Sequence, residues 1–456
     1  MKKFIDTLKN IWKIKELRER ILFTLSMLAV YRFGAFVILP GVIPSVLKSA
    51  AESRAANSLL ELVNIFSGGA FNQAAVFALG IMPYITASII IQLLGFAVPY
   101  FQRLQQKEGE SGRKKITQIT RLLTVFITLV QGAGYLGLIK SYGAIDPNIP
   151  ESLFFLSNII ILSTGTIFAM WLGERITDRG IGNGISLLIT VGIIASLPRA
   201  FAFEFQKQIG AGGLILFVIE MALLFIVTMA TVLIVQGVRK IPIQVAKRMV
   251  GRSAGQAPVR SERDYIPLKV NAAGVMPIIF AQAIMFLPMT IAQYFVTDES
   301  VMASNSFLRG LNDPFSFWYS VISFFLVVIF TYVYTALVVN PKQYSEYLKR
   351  QNAFIPGIKP GKATEDYIDS ITTRVTLPGS IFLGFITIIP AFAVAFGVNP
   401  GFAIFFGGTS LLIMVAVVLD TLQQIETYLL MRKYDGLVQS GKIKGRSSMQ
   451  TIGSSM

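Results

Sequence analysis

The sequence predicts an all-α, polytopic membrane protein, with ten transmembrane helices in two inverted five-helix halves plus a short re-entrant helix. Three observations carry this reading. Hydrophobic residues make up 53% of the 456 and charged ones only 14%, with a mean hydropathy of +0.62; a soluble domain carries about a quarter charged residues. Charge-poor runs recur along the chain, and a bilayer span needs roughly 20 apolar residues. Short sequence matches pair the second run with the seventh and the fifth with the tenth.

Composition also excludes chemistry. The chain has no Cys and no His, which removes disulfides, thiol nucleophiles, Cys or His metal ligands and His general bases. Zinc and Ser-His intramembrane proteases are thereby excluded. No G-x-x-x-x-G-K-[ST] loop is present, so hydrolysis of nucleotide by the chain itself is not expected. Gly180-Ile-Gly182-Asn-Gly184 looks superficially like a dinucleotide fingerprint, but no strand precedes it and a span follows; it reads as a loop and helix start. No cofactor, no metal and no enzymatic activity are expected.

The elements follow in order. Residues 1–20 form a basic arm with alternating Lys, Leu and Ile, an amphipathic helix on the cytoplasmic surface. Ile21 to Pro40 is the first span. From Leu62 to Gln102 there is no charge at all, too long a run for one span and too short for two with a polar connection. It breaks at Ser67-Gly68-Gly69 and Phe71-Asn72-Gln73, where Gly lowers helix propensity and Asn and Gln sit badly in lipid. The prediction is a half-helix from Leu59 to Phe66, then a full span from about Ala74 to Val98. A broken helix at membrane depth is tolerated only against protein or a water-filled cavity. Further spans are expected at 121–139, 153–172, 184–203, 213–237, 270–296, 316–340, 376–397 and 401–419, the last two joined by a tight turn at Gly397-Val-Asn-Pro-Gly401. The halves are then 21–203 and 213–423, with a tail from 424 to 456.

Orientation follows from charge. With the N-terminus in the cytoplasm, 34 of the 41 Lys and Arg fall on the cytoplasmic side. Two loops there are long, 238–269 and 341–374. The first carries Arg239, Lys240, Lys247, Arg248 and Arg252, and its β-branched alternation from Ile241 to Val250 predicts a projecting hairpin. The second has a turn-rich centre, Phe354 to Gly361. Retention charge explains their sign but not their length, which suits a docking partner with an acidic surface or a phosphate backbone.

The repeat places candidate residues. Ala78-Leu-Gly80-Ile-Met-Pro83-Tyr-Ile85 parallels Ala272-Ala-Gly274-Val-Met-Pro277-Ile-Ile279, and Gly184-Ile-Ser186-Leu-Leu-Ile189 parallels Gly408-Thr-Ser410-Leu-Leu-Ile413. Each match ends on Ile within a span. Ile81 and Ile193 extend the same helix faces by one turn. These six are either ordinary packed or lipid-facing Ile, or a ring that closes a pore by dewetting. Gln92 and Asn271 fall at similar depth in spans 2 and 7, either facing each other across an opening between the halves or acting as interhelical hydrogen-bond glue. A secondary transporter of a small solute, the alternative, needs polar or ionisable groups at the midplane. Only Arg32, Glu220 and Asp420 are charged within or at the edge of spans; Arg32 is expected to snorkel or to pair, with Glu220 as a partner.

Several of these motifs resemble the SecY family, the protein-conducting channel subunits of the bacterial Sec translocon. They are Phe66-Ser-Gly-Gly-Ala70, Phe77-Ala-Leu-Gly-Ile-Met-Pro-Tyr-Ile-Thr-Ala-Ser-Ile89, Trp171-Leu-Gly-Glu174, Gly180-Ile-Gly-Asn-Gly-Ile-Ser186, Pro267-Leu-Lys-Val-Asn271 and Phe406-Gly-Gly-Thr-Ser-Leu-Leu-Ile413. The resemblance runs from about Leu17 to Gly436. It implies a plug at about 59–71, including Leu62, Val63, Ile65 and Phe66 and hinged at Gly68 and Gly69. It implies a pore ring of Ile81, Ile85, Ile189, Ile193, Ile279 and Ile413, and a lateral gate for signal sequences between spans 2 and 7. Arg252 and Gly357-Ile-Lys359-Pro-Gly361 match loop positions that engage the motor SecA and the ribosome. SecE and SecG are the implied small partners, and the bacterial inner membrane the implied location. Ser253 stands where the family often has a second Arg, and Lys359 where Arg is common; Lys keeps the charge but loses bidentate geometry.

Overall fold

The computed structural model describes residues 12, 14–47, 64–106, 109–210, 213–245, 263–282, 284–285, 310 and 313–439. Most of the basic arm lies outside the described residues, as do Leu62, Val63, the loop tip with Lys247, Arg248 and Arg252, and the later part of the seventh span. In chain order the elements are α1 (Lys15–Gly34), α2 (Met82–Ala97), α3 (Pro99–Gln106), α4 (Gly109–Ser141), α5 (Glu151–Arg179), α6 (Gly184–Gly210) and α7 (Leu214–Gln236). There follow β1 (Val238–Val245), β2 (Arg263–Lys269), α8 (Phe317–Val338), α9 (Pro341–Arg350), β3 (Ala353–Phe354), α10 (Lys362–Ala395), α11 (Pro400–Ala403) and α12 (Gly408–Gln439). A further helical stretch covers 276–282.

Among the described residues, seven helices are long and apolar enough to cross a bilayer. Their outer faces leave large apolar side chains bare, Ile215 at 78% and Leu122 at 75% exposure among them. Patches of this kind mark a surface made for lipid. The inward face of α4 carries a stripe of threonines. Thr120, Thr124 and Thr128 donate their hydroxyls to carbonyls four residues back in α4, at 2.9, 2.7 and 2.7 Å. That lets a polar stripe pack against α5 without an unpaired group.

Two spans start later than hydropathy predicts. The helix expected from about Ala74 begins at Met82. Residues 67–81 are turns broken by one β-bridge, Ala75 to Ile38, and Gly68, Gly69, Ala74 and Gly80 take φ of +66°, +91°, +46° and +53°. A right-handed helix cannot run through such positions, and Pro83 in the first turn then sets its start. Likewise, the span expected from 401 begins at Gly408. The turn at 397–401 is present, with Asn399 Oδ1 accepting from the Gly401 amide at 2.9 Å. Only α11 and a 3-10 turn (Ile404–Phe406) follow it, and Gly408 at φ +65° then starts the long helix. Phe402, Phe405 and Phe406 point inward and are almost fully buried. Hydropathy reads a buried turn and a lipid-facing helix alike. At the basic face the long helices also overrun their apolar runs, α10 beginning at Lys362 and α12 reaching Gln439, because the backbone ladder does not stop where the lipid does.

The matched repeat segments share a backbone feature. Gly80 stands two residues before α2, and Gly274, at φ +63°, stands two before the helical stretch 276–282. Both segments make the same left-handed turn into a helix.

The basic loops are joined, which the sequence did not predict. The expected hairpin at 241–250 is instead β1 paired antiparallel with β2 from Val238↔Lys269 to Gln244↔Arg263. The second loop supplies a third strand, Gln244 and Val245 pairing with Phe354 and Ala353. Under the sheet, Ile241, Ile243, Leu268, Leu348, Ala353, Ile355 and Ile368 form a small core of their own. Leu348 is 3% exposed, and a buried Leu→Ala change costs about 2–5 kcal/mol. Leu348→Ala should therefore loosen both loops together. Limited proteolysis should cut each of them faster while the spans stay protected; faster cutting of 341–374 alone would show that the loops are independent.

Candidate functional site

The segment entering α2 is built from short-range bonds. Asn64–Phe66 is one helical turn. It is capped back on itself by the amides of Gly68, which donates to the Ile65 carbonyl at 3.0 Å, and Gly69, which donates to the Asn64 carbonyl at 2.8 Å. Ser67 Oγ donates to the Asn64 carbonyl and accepts from the Phe71 amide, and Asn64 Oδ1 accepts from the Asn72 amide at 3.1 Å. The far side is fixed: Tyr135 donates to the Phe71 carbonyl at 2.6 Å, and the two rings lie 4.6 Å apart. Ile65 and Ala70 are buried.

Four elements converge on this segment. Ile81 caps α2 and Ile85 lies in its first turn. Ile189 and Ile193 come from α6, Ile279 from the stretch 276–282 and Ile413 from α12. All six belong to one apolar cluster with Ile65, Phe66, Tyr31 and Phe406. Ile81, Ile189, Ile193 and Ile413 are each at most 6% exposed. Sequence positions more than 300 residues apart are thus brought to one centre packed from aliphatic and aromatic side chains. Such a centre offers nothing to hold an ion and resists wetting.

The polar pair is not joined. Gln92 Nε2 donates to Ser88 Oγ on its own helix at 3.3 Å. Asn271 is buried, and its Oδ1 accepts no hydrogen bond among the described residues. Gln92 and Leu93 instead line a small cleft with Phe280, Phe330, Val333, Tyr334 and Leu337, so spans 2 and 7 do border a common apolar gap.

The expected pairing of Arg32 with Glu220 is corrected. Arg32 Nη1 donates to the Gly68 carbonyl at 2.9 Å, and its guanidinium lies 5.3 Å from the Phe36 ring. Glu220 accepts from Gln208 Nε2 at 3.1 Å, and the same amide donates to Glu204 Oε1 at 2.8 Å. Glu204 also accepts from the Asn399 amide, and Lys207 donates to the Gly397 carbonyl. This network ties α6 and α7 to the turn before α11. Sequence reading missed Glu204, Gln208 and the buried Phe402, Phe405 and Phe406, although the i, i+3, i+4 spacing of those Phe was a signal for an inward helical face.

On the basic face, Arg239 and Lys240 are exposed along β1, with Lys240 Nζ 4.7 Å from the Tyr265 ring. Lys359 is exposed in a turn whose positive φ, +83° at Gly357 and +110° at Gly361, suits glycine, and Thr364 donates its hydroxyl to the Lys359 carbonyl at 2.9 Å. Lys247, Arg248 and Arg252 lie outside the described residues.

Fold and site together define a class: a helical membrane protein whose spans converge on an apolar centre, with a separately folded basic sheet on one face. Comparison identifies the family. The SecY family model matches residues 75–422. The chain is 39% identical over 461 residues to the protein translocase subunit SecY of Chlamydia muridarum, covering 96% of this chain and 99% of that one. It is 41% identical over 444 residues to its counterpart in Halalkalibacterium halodurans, covering 95% and 99%. Among solved structures, a protein-conducting channel matches with a TM-score of 0.60 at 19% identity, covering 93% of this chain and 94% of that one. A SecY protein described for the plug domain that stabilises its closed channel matches at 0.59 and 20% identity, with the same coverage. This chain belongs to the SecY family.

Proposed function

We propose that the chain is the central pore subunit of the general protein translocase of a bacterial inner membrane, with both termini cytoplasmic. It passes unfolded secretory chains across the membrane and releases membrane segments laterally into lipid. It is a passive conduit rather than an enzyme. The observation that carries this reading is the single apolar cluster of Ile81, Ile85, Ile189, Ile193, Ile279 and Ile413 against Ile65 and Phe66. A ring of branched side chains blocks ions by dewetting yet binds nothing, so a polymer can pass once it is spread. The segment about 59–71 acts as the stopper, hinged at Gly68 and Gly69. Signal sequences enter between spans 2 and 7, beside Gln92, Asn271 and the cleft at Phe280.

Energy comes from partners. The basic loops, with Arg239, Lys240, Lys247, Arg248, Arg252 and Lys359, dock SecA or the ribosome, and SecE and SecG complete the complex. Two observations support this: the sheet that joins the loops, and the similarity to a canine Sec61 channel in a ribosome–channel complex, with a TM-score of 0.52.

The decisive test is reconstitution in proteoliposomes with SecA, ATP and a secretory precursor. The expected result is ATP-dependent protection of the precursor from protease. A small-solute transporter would move no polypeptide, and absence of protection with an active motor would overturn the proposal. Lys359→Glu should reduce motor-driven transport several-fold, with unchanged levels of the protein in the membrane; transport at the unmodified rate would remove Lys359 from the docking surface.

A further inference from the structure

The observation is an arginine inside a span whose described hydrogen-bond acceptor is the hinge itself. Arg32 stands in the last turn of α1, and an ionisable residue within a span is rare and pairs with another group or with a backbone carbonyl. Arg32 Nη1 donates to the Gly68 carbonyl at 2.9 Å. The left-handed turn at Gly68, φ +66°, leaves that carbonyl outside the local backbone bonds of the hinge, in which the Gly68 and Gly69 amides donate to Ile65 and Asn64. Among the described residues no backbone amide competes for it.

The guanidinium is held on its other side. Phe36 lies against it at 5.3 Å. The neighbouring Tyr31 is buried and stacks on Phe77 at 5.4 Å between centroids, which fixes this end of α1 against the segment entering α2. The opposite jaw is α6. A Cβ built on Gly68 would lie 2.9 Å from the Gly192 Cα and would collide with Arg32 Nη1. One built on Gly192 would lie 2.5 Å from the Phe66 carbonyl oxygen. The hinge therefore sits backbone to backbone on α6 while Arg32 of α1 holds the Gly68 carbonyl.

We propose that Arg32 is the latch of the stopper, a positioning residue whose bond to the Gly68 carbonyl holds the hinge on Gly192 in the closed channel and must break before the segment can leave. This rests on reading residues about 59–71 as a stopper. A hydrogen bond to a charged donor is about twice as strong as a neutral one and shields poorly in a low-dielectric site. Its loss should raise the open fraction about tenfold or more.

The test measures resting ion conductance in planar bilayers, using the chain purified with its companion subunits, for the unmodified protein, Arg32→Met, Arg32→Lys and a deletion of residues 60–67. Secretion of a precursor with a defective signal sequence is a second readout, which misfolding or loss of the protein from the membrane would not improve. The proposal expects the deletion and Arg32→Met to leak and to accept the defective signal, and Arg32→Lys, which keeps a charged donor, to fall between Met and the unmodified protein. If the deletion leaks and Arg32→Met stays tight, the latch is overturned and the stopper stands. If the deletion stays tight, both fall. Equal leak from Lys and Met would place the effect in side-chain packing and overturn the hydrogen-bond latch. Should Arg32→Met fail to accumulate, Gly68→Ala is read instead. A leak at normal abundance supports the latch, and a tight channel overturns it.

Discussion

Replacing Ile413 with Asn should raise the resting ion conductance of the channel roughly fivefold to a hundredfold and let precursors with weak signal sequences through. Ile413 is 4% exposed, at the centre of the cluster that also holds Ile81, Ile189 and Ile193. An amide there would face the apolar side chains of that cluster, which offer it no hydrogen bond. Such a group costs about 1–3 kcal/mol in a protein interior. The penalty falls on the closed packing only, since a wetted opening solvates the amide. A bias of that size moves a closed-to-open ratio by the stated factor. Ile413→Val, which keeps a branched apolar side chain, should leave conductance near the unmodified level. Planar-bilayer recording of both variants decides the matter: equal, low conductance in the two would take Ile413 out of the seal.

Gly192→Val should open the channel from the other side. A Cβ at Gly192 meets the Phe66 carbonyl oxygen at 2.5 Å and the Gly68 amide at 3.2 Å. Something must move, and α6 is held along its length by α5 and α12, whereas the hinge is held by a handful of bonds. The strain is expected to lift the hinge off its seat rather than to unfold the helix. Gly184 is the informative contrast. A Cβ there runs into the Gly173 carbonyl of α5 and lies 2.7 Å from Ile176 Cβ, so two long helices must part. Overpacking of that kind costs about 1–3 kcal/mol or more. Gly192→Val should therefore give a leaky, abundant protein, and Gly184→Val a scarce one in membranes. Immunoblotting beside conductance separates the two; a scarce Gly192→Val protein would mean that the seat is part of the rigid frame.

Much of this architecture was legible in residue order. The Gly68–Gly69 break, the positions of most spans, the two basic loops and the paired segments around Gly80 and Gly274 all follow from local composition and short-range steric rules. Ile85, Ile189, Ile279 and Ile413 were legible because a repeat marks equivalent places without any knowledge of contacts, and Ile81 and Ile193 because they lie four residues from two of them. What failed did so for definite reasons. The start of α2 depended on backbone handedness at Ala74 and Gly80, which hydropathy does not register. The turn at Phe402 to Phe406 was read as lipid-facing helix because burial in protein and burial in lipid select the same side chains.

The chain's own order determined that this is a multi-span membrane protein without Cys or His, and it raised the expectation of inverted halves with the charge on one face. Those properties are sums over residues or patterns between near neighbours. Only the tertiary structure decided that Arg32 serves Gly68 rather than Glu220, that Glu204 and Glu220 share the amide of Gln208, and that the two basic loops are one sheet. The first and third are meetings of groups remote in the chain, and the second joins two consecutive helices. Such a choice of partner is set by which backbone carbonyl or strand edge is left unsatisfied after the helices have packed.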